Sequence, residues 1–461
     1  MKRLTGFAVV GLLMMQTACS NEKESDMKYT ERQLTTDASG HTIHQIQCFS
    51  PDDRWIVYDT RNDDGKIGST KSIAMVNVET GEIRDLYHTQ NQTEYGPGVG
   101  AVTFSPAREQ VLFIHGIRNS DREKPYAMTR RTGVMVNVNE PYIPVFLDGR
   151  NIVPPFTPGA LRGGTHAHTW SRDGAWVSFT YNDYIMEQLA TLDTSVKDLR
   201  MVGVMAPLGK VEVPGNNPEN NTGEMFAAVV TKVTENPVWG SDEIDKACEE
   251  NWIGNDGYTK ADGTSQKRAL AFLGDVRDKN GNKLTEVFVV DLPEDLTVKG
   301  DDGPLQGTET TRPGVPAGVI QRRITFTDSE INPGVQGPRH WMRTSPDGSK
   351  IYFLRKDSNG VVQIYSVSPN GGDIIQETSN QFSVETCLSV HPNGRFIAYG
   401  SNQEVYLTDL EQHTTKQLTD SKGKDSDALC AINWSNDGKK LAYNRRIRQG
   451  ENAYYQICIL E

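Results

Sequence analysis

Residues Thr344-Ser345-Pro346-Asp347-Gly348 lead into Ile351-Tyr352-Phe353-Leu354, a turn feeding a buried strand. In such a turn Pro presets φ, Asp hydrogen-bonds its own local backbone, and Gly accepts positive φ. The run that follows is rich in residues that favour a pleated, half-buried surface. The same unit recurs along the chain. Its copies are Phe49-Ser50-Pro51-Asp52-Asp53 before Trp55-Ile56-Val57-Tyr58, Phe104-Ser105-Pro106 before Val111-Leu112-Phe113-Ile114, and Trp170-Ser171-Arg172-Asp173-Gly174 before Trp176-Val177-Ser178-Phe179. Two more follow, Val390-His391-Pro392-Asn393-Gly394 before Phe396-Ile397-Ala398-Tyr399 and Trp434-Ser435-Asn436-Asp437-Gly438 before Leu441-Ala442-Tyr443-Asn444.

Further strands complete the unit. Ile73-Ala74-Met75-Val76, Gln363-Ile364-Tyr365-Ser366-Val367, Glu404-Val405-Tyr406-Leu407 and Tyr455-Gln456-Ile457-Cys458-Ile459 read as third strands. Lys416-Gln417-Leu418-Thr419-Asp420 and Arg323-Ile324-Thr325-Phe326-Thr327-Asp328 read as fourth strands. Four antiparallel strands repeated in this way predict an all-β, seven-bladed β-propeller, and its Ser-Pro-Asp-Gly blades resemble those of TolB and WD40-like propellers. Arg32-Gln33-Leu34-Thr35-Thr36-Asp37 carries the fourth-strand signature ahead of any complete unit. It is therefore expected to complete the last blade, which closes the ring and leaves neither end blade with an open edge.

The interval between Ser171 and Ser345 must hold a diverged fourth blade, expected to use residues 225–230, 269–273, 286–290 and the strand at Ile324. An insertion over about residues 236–266 reads as partly helical between Ser241 and Trp252. Ser241 suits a cap, Asp242 and Glu243 suit the first turn, and Ile244, Ala247, Cys248 and Trp252 fall on one helical face.

Of the 461 residues, 48 are Lys or Arg and 60 Asp or Glu, a net charge of -12, and 36% are hydrophobic. That composition excludes a multi-span membrane protein, and the excess of acid argues against nucleic acid as a partner, because phosphate backbones need clustered Lys and Arg. Lys2 and Arg3, the apolar run from Phe7 to Met15 and then Thr17-Ala18-Cys19-Ser20 have the three parts of a secretory signal. A Cys in that setting resembles a bacterial lipobox, which implies that Cys19 is acylated as a lipid anchor, and Ser20 after it resembles lipoproteins of the outer membrane. The expected organisation is a signal segment over residues 1–18, acylated Cys19 and a tether over 19–29, and one monomeric propeller domain over 30–461 in the cell envelope. The other cysteines, Cys48, Cys248, Cys387, Cys430 and Cys458, are odd in number and show no CxxC, and four of the five lie in apolar runs where a free Cys is a small hydrophobe.

Several stretches resemble YidR, a family of propellers described as related to Tol biopolymer transporters. They are the run from Thr157 to His168, Ser178-Phe179-Thr180-Tyr181-Asn182-Asp183, Gly240-Ser241-Asp242-Glu243-Ile244, Gly307-Thr308-Glu309-Thr310-Thr311 and Pro338-Arg339-His340-Trp341. A looser similarity is to oligogalacturonate lyases. That likeness implies a propeller with a divalent metal held by His and Gln near the central axis, and a uronate substrate.

In a propeller the residues just upstream of each innermost turn converge on one rim of the central channel. Five residues before the turn Ser stand Gln45, Gly100, His166, His340, Thr386 and Cys430. His168 is two residues beyond His166, on the same strand face if side chains alternate. His166, His168 and His340 with Gln45 or His44 are thus candidate ligands for a divalent ion, Mn, Ca or Zn. The alternative is that these histidines hydrogen-bond neighbouring blades and hold no metal. Arg162 and Arg339 are candidate clamps for a sugar carboxylate, and Tyr181 or Asp183 a candidate for proton transfer. Arg61, Arg118, Arg355, Arg445 and Arg446 follow second strands and are expected on the same rim. Two functions follow: an envelope protein that binds or cleaves an anionic, uronate-type oligosaccharide by metal-assisted β-elimination, or a non-catalytic module that docks a glycan or an envelope protein.

Overall fold

The computed structural model describes residues 29–63, 65–420 and 426–461. The segment expected to carry the signal and Cys19 lies outside them. Among the described residues no helix is long and apolar enough to cross a membrane, and the five described cysteines are free.

Each Ser-Pro-Asp-Gly turn is locked by its own side chains. The Ser171 hydroxyl donates to Asp173 at 2.6 Å and accepts from the Trp176 amide at 2.9 Å. Ser50 and Ser435 repeat the pattern with Asp52 and Asp437, and Gly174, Gly348 and Gly438 take φ of 65°, 71° and 73°. At His391 the bonding differs, and the imidazole Nδ1 accepts the Asn393 amide two residues on.

Seven sheets surround one axis. Antiparallel pairing runs outward from an inner strand in each, as in the third blade: Gly164–Trp170, Val177–Asn182, Met201–Ala206 and Phe226–Val229. The last blade comprises Ser426–Trp434, Leu441–Gln449 and Asn452–Leu460, and Glu31–Gln33 pairs with its third strand in the register Glu31 to Leu460 and Gln33 to Cys458. The closure expected from the sequence is therefore present. Glu31 is held there by the Tyr443 hydroxyl at 2.6 Å and Arg445 Nε at 2.7 Å. The core lies between blades: Trp176, Val202 and Phe226 of the third pack with Ala247, Leu270, Phe272 and Phe288 of the fourth.

The diverged blade differs from expectation in two ways. Residues 225–230 supply the outer strand of the third blade, and the helix expected over residues 241–252 is instead a turn followed by Ala247–Trp252, the inner strand of the fourth. The one α-helix among the described residues, Tyr184–Ala190, is a short insertion in the third blade, capped by the Asp183 carboxylate on the Ile185 and Met186 amides. On this strand both acidic side chains meet residues of the flanking blades. The Arg339 guanidinium meets Glu249, and the Thr180 hydroxyl meets Glu250.

Candidate functional site

In an antiparallel blade the inner strand starts, the second ends and the third starts on the same rim. Four arginines use those three positions. Arg61 follows the second strand of the first blade, Arg131 opens the third strand of the second, Arg200 precedes the third strand of the third, and Arg339 precedes the inner strand of the fifth. All four line one cavity of about 380 Å³ with His44, Gln45, His166 and Trp341. Among the described residues no Asp or Glu lines it.

The arginines are held differently. Arg61 is buried and bidentate on Asp59, whose second oxygen also accepts the Ala101 amide at 2.9 Å. Arg339 donates to Glu249 at 2.6 Å and lies 4.6 Å over the Trp341 ring. Arg131 stacks 4.7 Å over Tyr126, and its buried Nε has no partner. Arg200 reaches Asn182 at 3.4 Å. Among the described residues no carboxylate pairs with Arg131 or Arg200, so the cavity keeps a net positive field in a chain whose total is -12.

His166 lies within that field, 3% exposed, with neither ring nitrogen hydrogen-bonded. Burial, with Arg131 and Arg200 nearby, pushes its pKa well below the usual imidazole value, so the ring is neutral at physiological pH. His168 does not share its face. The inner strand carries a β-bulge between His166 and Thr169, with Ala167 at φ 60°, and the bulge breaks the alternation that would align the two rings. His168 therefore packs behind, Nε2 at 3.0 Å from the Thr165 hydroxyl, which donates to the buried Asp148. A Cβ added at Gly133 would stand 2.9 Å from the same Nε2. His340 is likewise committed: Nδ1 donates to the Pro338 carbonyl at 2.9 Å, and Nε2 accepts the Leu354 amide at 3.2 Å.

The ligand set His166, His168, His340 and Gln45 thus does not assemble. Among the described residues no group of three or more His, Cys, Asp or Glu is placed to hold a metal. Gln45 and His166 do face the cavity with unpartnered polar atoms, but four guanidiniums with no lining carboxylate among the described residues fit an anion better than a divalent cation. Arg162, Tyr181 and Asp183 form a separate buried cluster. Arg162 donates to Asp183 at 2.8 Å and to the carbonyls of Thr308 and Thr311, while the Tyr181 hydroxyl donates to Asp183 at 3.2 Å. None of the three lines the cavity. Of the remaining arginines expected on the rim, Arg355 pairs with Glu330 and Arg445 with Glu31.

Arg131 and Arg200 escaped sequence reasoning, which looked upstream of the innermost turns and after second strands but not ahead of third strands. The available signal was a basic residue immediately before a third-strand run, as in Arg130-Arg131-Thr132 and Leu199-Arg200-Met201. Glu249 was hidden by the helical reading of its strand.

A family model described as "Protein of unknown function (DUF3748)" matches residues 98–221. The fold is similar to that of an oligogalacturonate lyase from Vibrio parahaemolyticus, with a TM-score of 0.52 at 10% identity, covering 94% of this chain and 97% of that one. An oligogalacturonate lyase in complex with manganese is similar at a TM-score of 0.52 and 11% identity, covering 94% and 96%. At such identities these likenesses show the fold. In sequence the chain is 38% identical over 415 residues to the uncharacterized protein YidR of Escherichia coli strain K12, covering 89% of this chain and 94% of that protein. Identity at that level over nearly the whole of both sequences means that the chain belongs to the YidR family.

Proposed function

We propose that the rim cavity binds an anionic, uronate-type oligosaccharide, with a sugar carboxylate received by Arg131, Arg200 and Arg339 and a sugar ring laid against Trp341 and His44. The observation that carries this reading is the convergence of arginines from four blades on one cavity, with no lining carboxylate among the described residues. Guanidinium forks match carboxylates bidentately, and a partly buried site strengthens the pair relative to open solvent. The reading sets the protein in the cell envelope, anchored through an acylated Cys19.

Its sharper form is β-elimination. His166 would take the proton from the carbon next to the carboxylate, the arginines would stabilise the charge developing on the carboxylate, and the glycosidic oxygen would leave from the adjacent carbon and take a proton back. The weak basicity of His166 favours a second reading, binding without turnover, in which the propeller is a docking module for a glycan or an envelope protein. Neither reading needs a metal. Galacturonate oligosaccharides mixed with the protein separate them. Ultraviolet absorbance of an unsaturated product supports elimination, calorimetric heat without product supports binding alone, and absence of both overturns the assignment of this ligand.

A further inference from the structure

We propose that the opposite end of the channel is a second ligand site, for a small carboxylate carried on an apolar body. There the ends of the inner strands and the Ser-Pro-Asp-Gly turns enclose a cavity of about 280 Å³, near the lower end of ligand-pocket sizes of roughly 300–1,000 Å³. It shares no lining residue with the rim cavity. A waist divides the two, where Asn433 Nδ2 donates to the His44 carbonyl at 2.9 Å and Arg343 Nη2 donates to the Gln45 carbonyl at 2.7 Å.

In the lower cavity one buried charge and two donors go unmatched. Arg343 is 6% exposed, and its guanidinium meets only the carbonyls of Trp341, Met342 and Gln45; among the described residues it pairs with no carboxylate. Carbonyls satisfy the N–H groups but leave the charge unneutralised. Trp170 and Trp434 line the cavity at 3% and 9% exposure, and the buried indole N–H of each meets no acceptor. Trp252 beside them differs, with its N–H on the Thr169 carbonyl at 3.0 Å. No Asp or Glu among the described residues lines this cavity either, although Asp53 of the first turn accepts from the lining Asn436. A buried cation without a counter-charge and two indole donors without acceptors line one cavity, with the rings of Trp170, Trp252 and Trp434 among its polar walls. A carboxylate supplies both the missing charge and the missing acceptors, and an attached apolar group fills the aromatic part. A neutral amide of the same shape lacks the charge and the second strong acceptor.

The test uses the whole protein isotope-labelled at the indole nitrogens, which gives one N–H resonance for each of its 7 tryptophans. Trp170→Phe and Trp434→Phe assign the two resonances and keep the rings. With millimolar phenylacetate the Trp170 and Trp434 signals move, whether or not Trp341 of the rim cavity also responds, and phenylacetamide moves neither. Trp434→Phe weakens phenylacetate binding about 3-fold or more, as expected for loss of one charge-assisted hydrogen bond, while Arg131→Ala in the rim cavity leaves it unchanged. The proposal is overturned if no indole signal moves, if the amide acts as well as the acid, or if Trp341 moves in place of the other two. The last result would put the carboxylate in the rim cavity and leave the oligosaccharide reading standing.

Discussion

Glu249 Oε1 accepts a hydrogen bond from Arg339 Nε at 2.6 Å while its own backbone sits at φ 54°. Three other inner strands place an alanine at positive φ in the same way: Ala101, Ala167 and Ala431. In the fourth blade a bulky residue occupies the bulge at a conformational cost of about 1–3 kcal/mol. It holds Arg339 over Trp341 and also cancels part of the cavity's charge. Burial opposes ionisation of Glu249 most strongly, but the Arg339 charge, hydrogen bonds with Cys248 and Arg339 and the Lys246 charge together outweigh it and keep the carboxyl below its usual value. Glu249→Gln keeps an acceptor and removes the charge. Affinity for a galacturonate trisaccharide should then rise about 3- to 10-fold at low salt and converge with the unaltered protein at high salt. Titrations at two ionic strengths check it, and equal affinity at low salt would count against a charge-driven site.

His166 presents two unpartnered nitrogens in a buried position, an arrangement that costs the folded state about 1–3 kcal/mol. His166→Leu should therefore raise the thermal midpoint by a few degrees while lowering oligosaccharide affinity. A variant that melts lower would mean that the imidazole stabilises the fold and is not held in reserve for a ligand.

Glu250 is fully buried, with Oε2 on the Thr180 hydroxyl at 2.8 Å and Oε1 without a partner, and burial pushes its pKa up to about 8. In the unfolded chain the carboxyl ionises near 4.5. A folded-state pKa raised above the unfolded one gives stability that is complete below pH 4.5 and is lost as pH rises through about 8. Glu250→Gln removes this dependence. Relative to the unaltered protein it should gain on the order of 1.4 kcal/mol per pH unit across that window and level off above it. Denaturant unfolding of both proteins at pH 5, 7 and 9 measures the difference, and a constant offset would place the ionised carboxylate in the fold.

His340 is bonded at both nitrogens. His340→Ala leaves the Leu354 amide and the Pro338 carbonyl unsatisfied and should cost about 2–4 kcal/mol in denaturant unfolding. The same loss is expected with or without chelator, and chelator alone should leave the melting temperature unchanged. A chelator-sensitive midpoint that disappears in His340→Ala would reinstate His340 as a metal ligand.

The ring was legible because its signals are local. A Ser-Asp-Gly turn is locked by its own side chains, as at Ser171 and Asp173, and the N-terminal Arg32-Gln33-Leu34-Thr35 repeats the signature of the strand it replaces. The fourth blade was obscured because the buried Glu249 and Glu250 read as solvated helix until Arg339 and Thr180 from neighbouring blades are placed against them. The bulge at Ala167 was invisible for a related reason. Positive φ there is carried by alanine rather than glycine, so no residue type announces it, yet it separates His166 from His168. The basic character of the rim was legible, but Arg131 and Arg200 open third strands, and that position meets the rim only once blade topology is explicit.

The most direct test of the account is a calorimetric titration of a galacturonate trisaccharide into the protein and into Arg131→Ala/Arg200→Ala, with the fully methyl-esterified trisaccharide as the uncharged control. The account predicts saturable binding of the acid, a loss of about 100-fold or more in the double variant, as two charge-assisted carboxylate contacts would give, and negligible binding of the ester. Equal binding of acid and ester, or an undiminished affinity in the double variant, would contradict it.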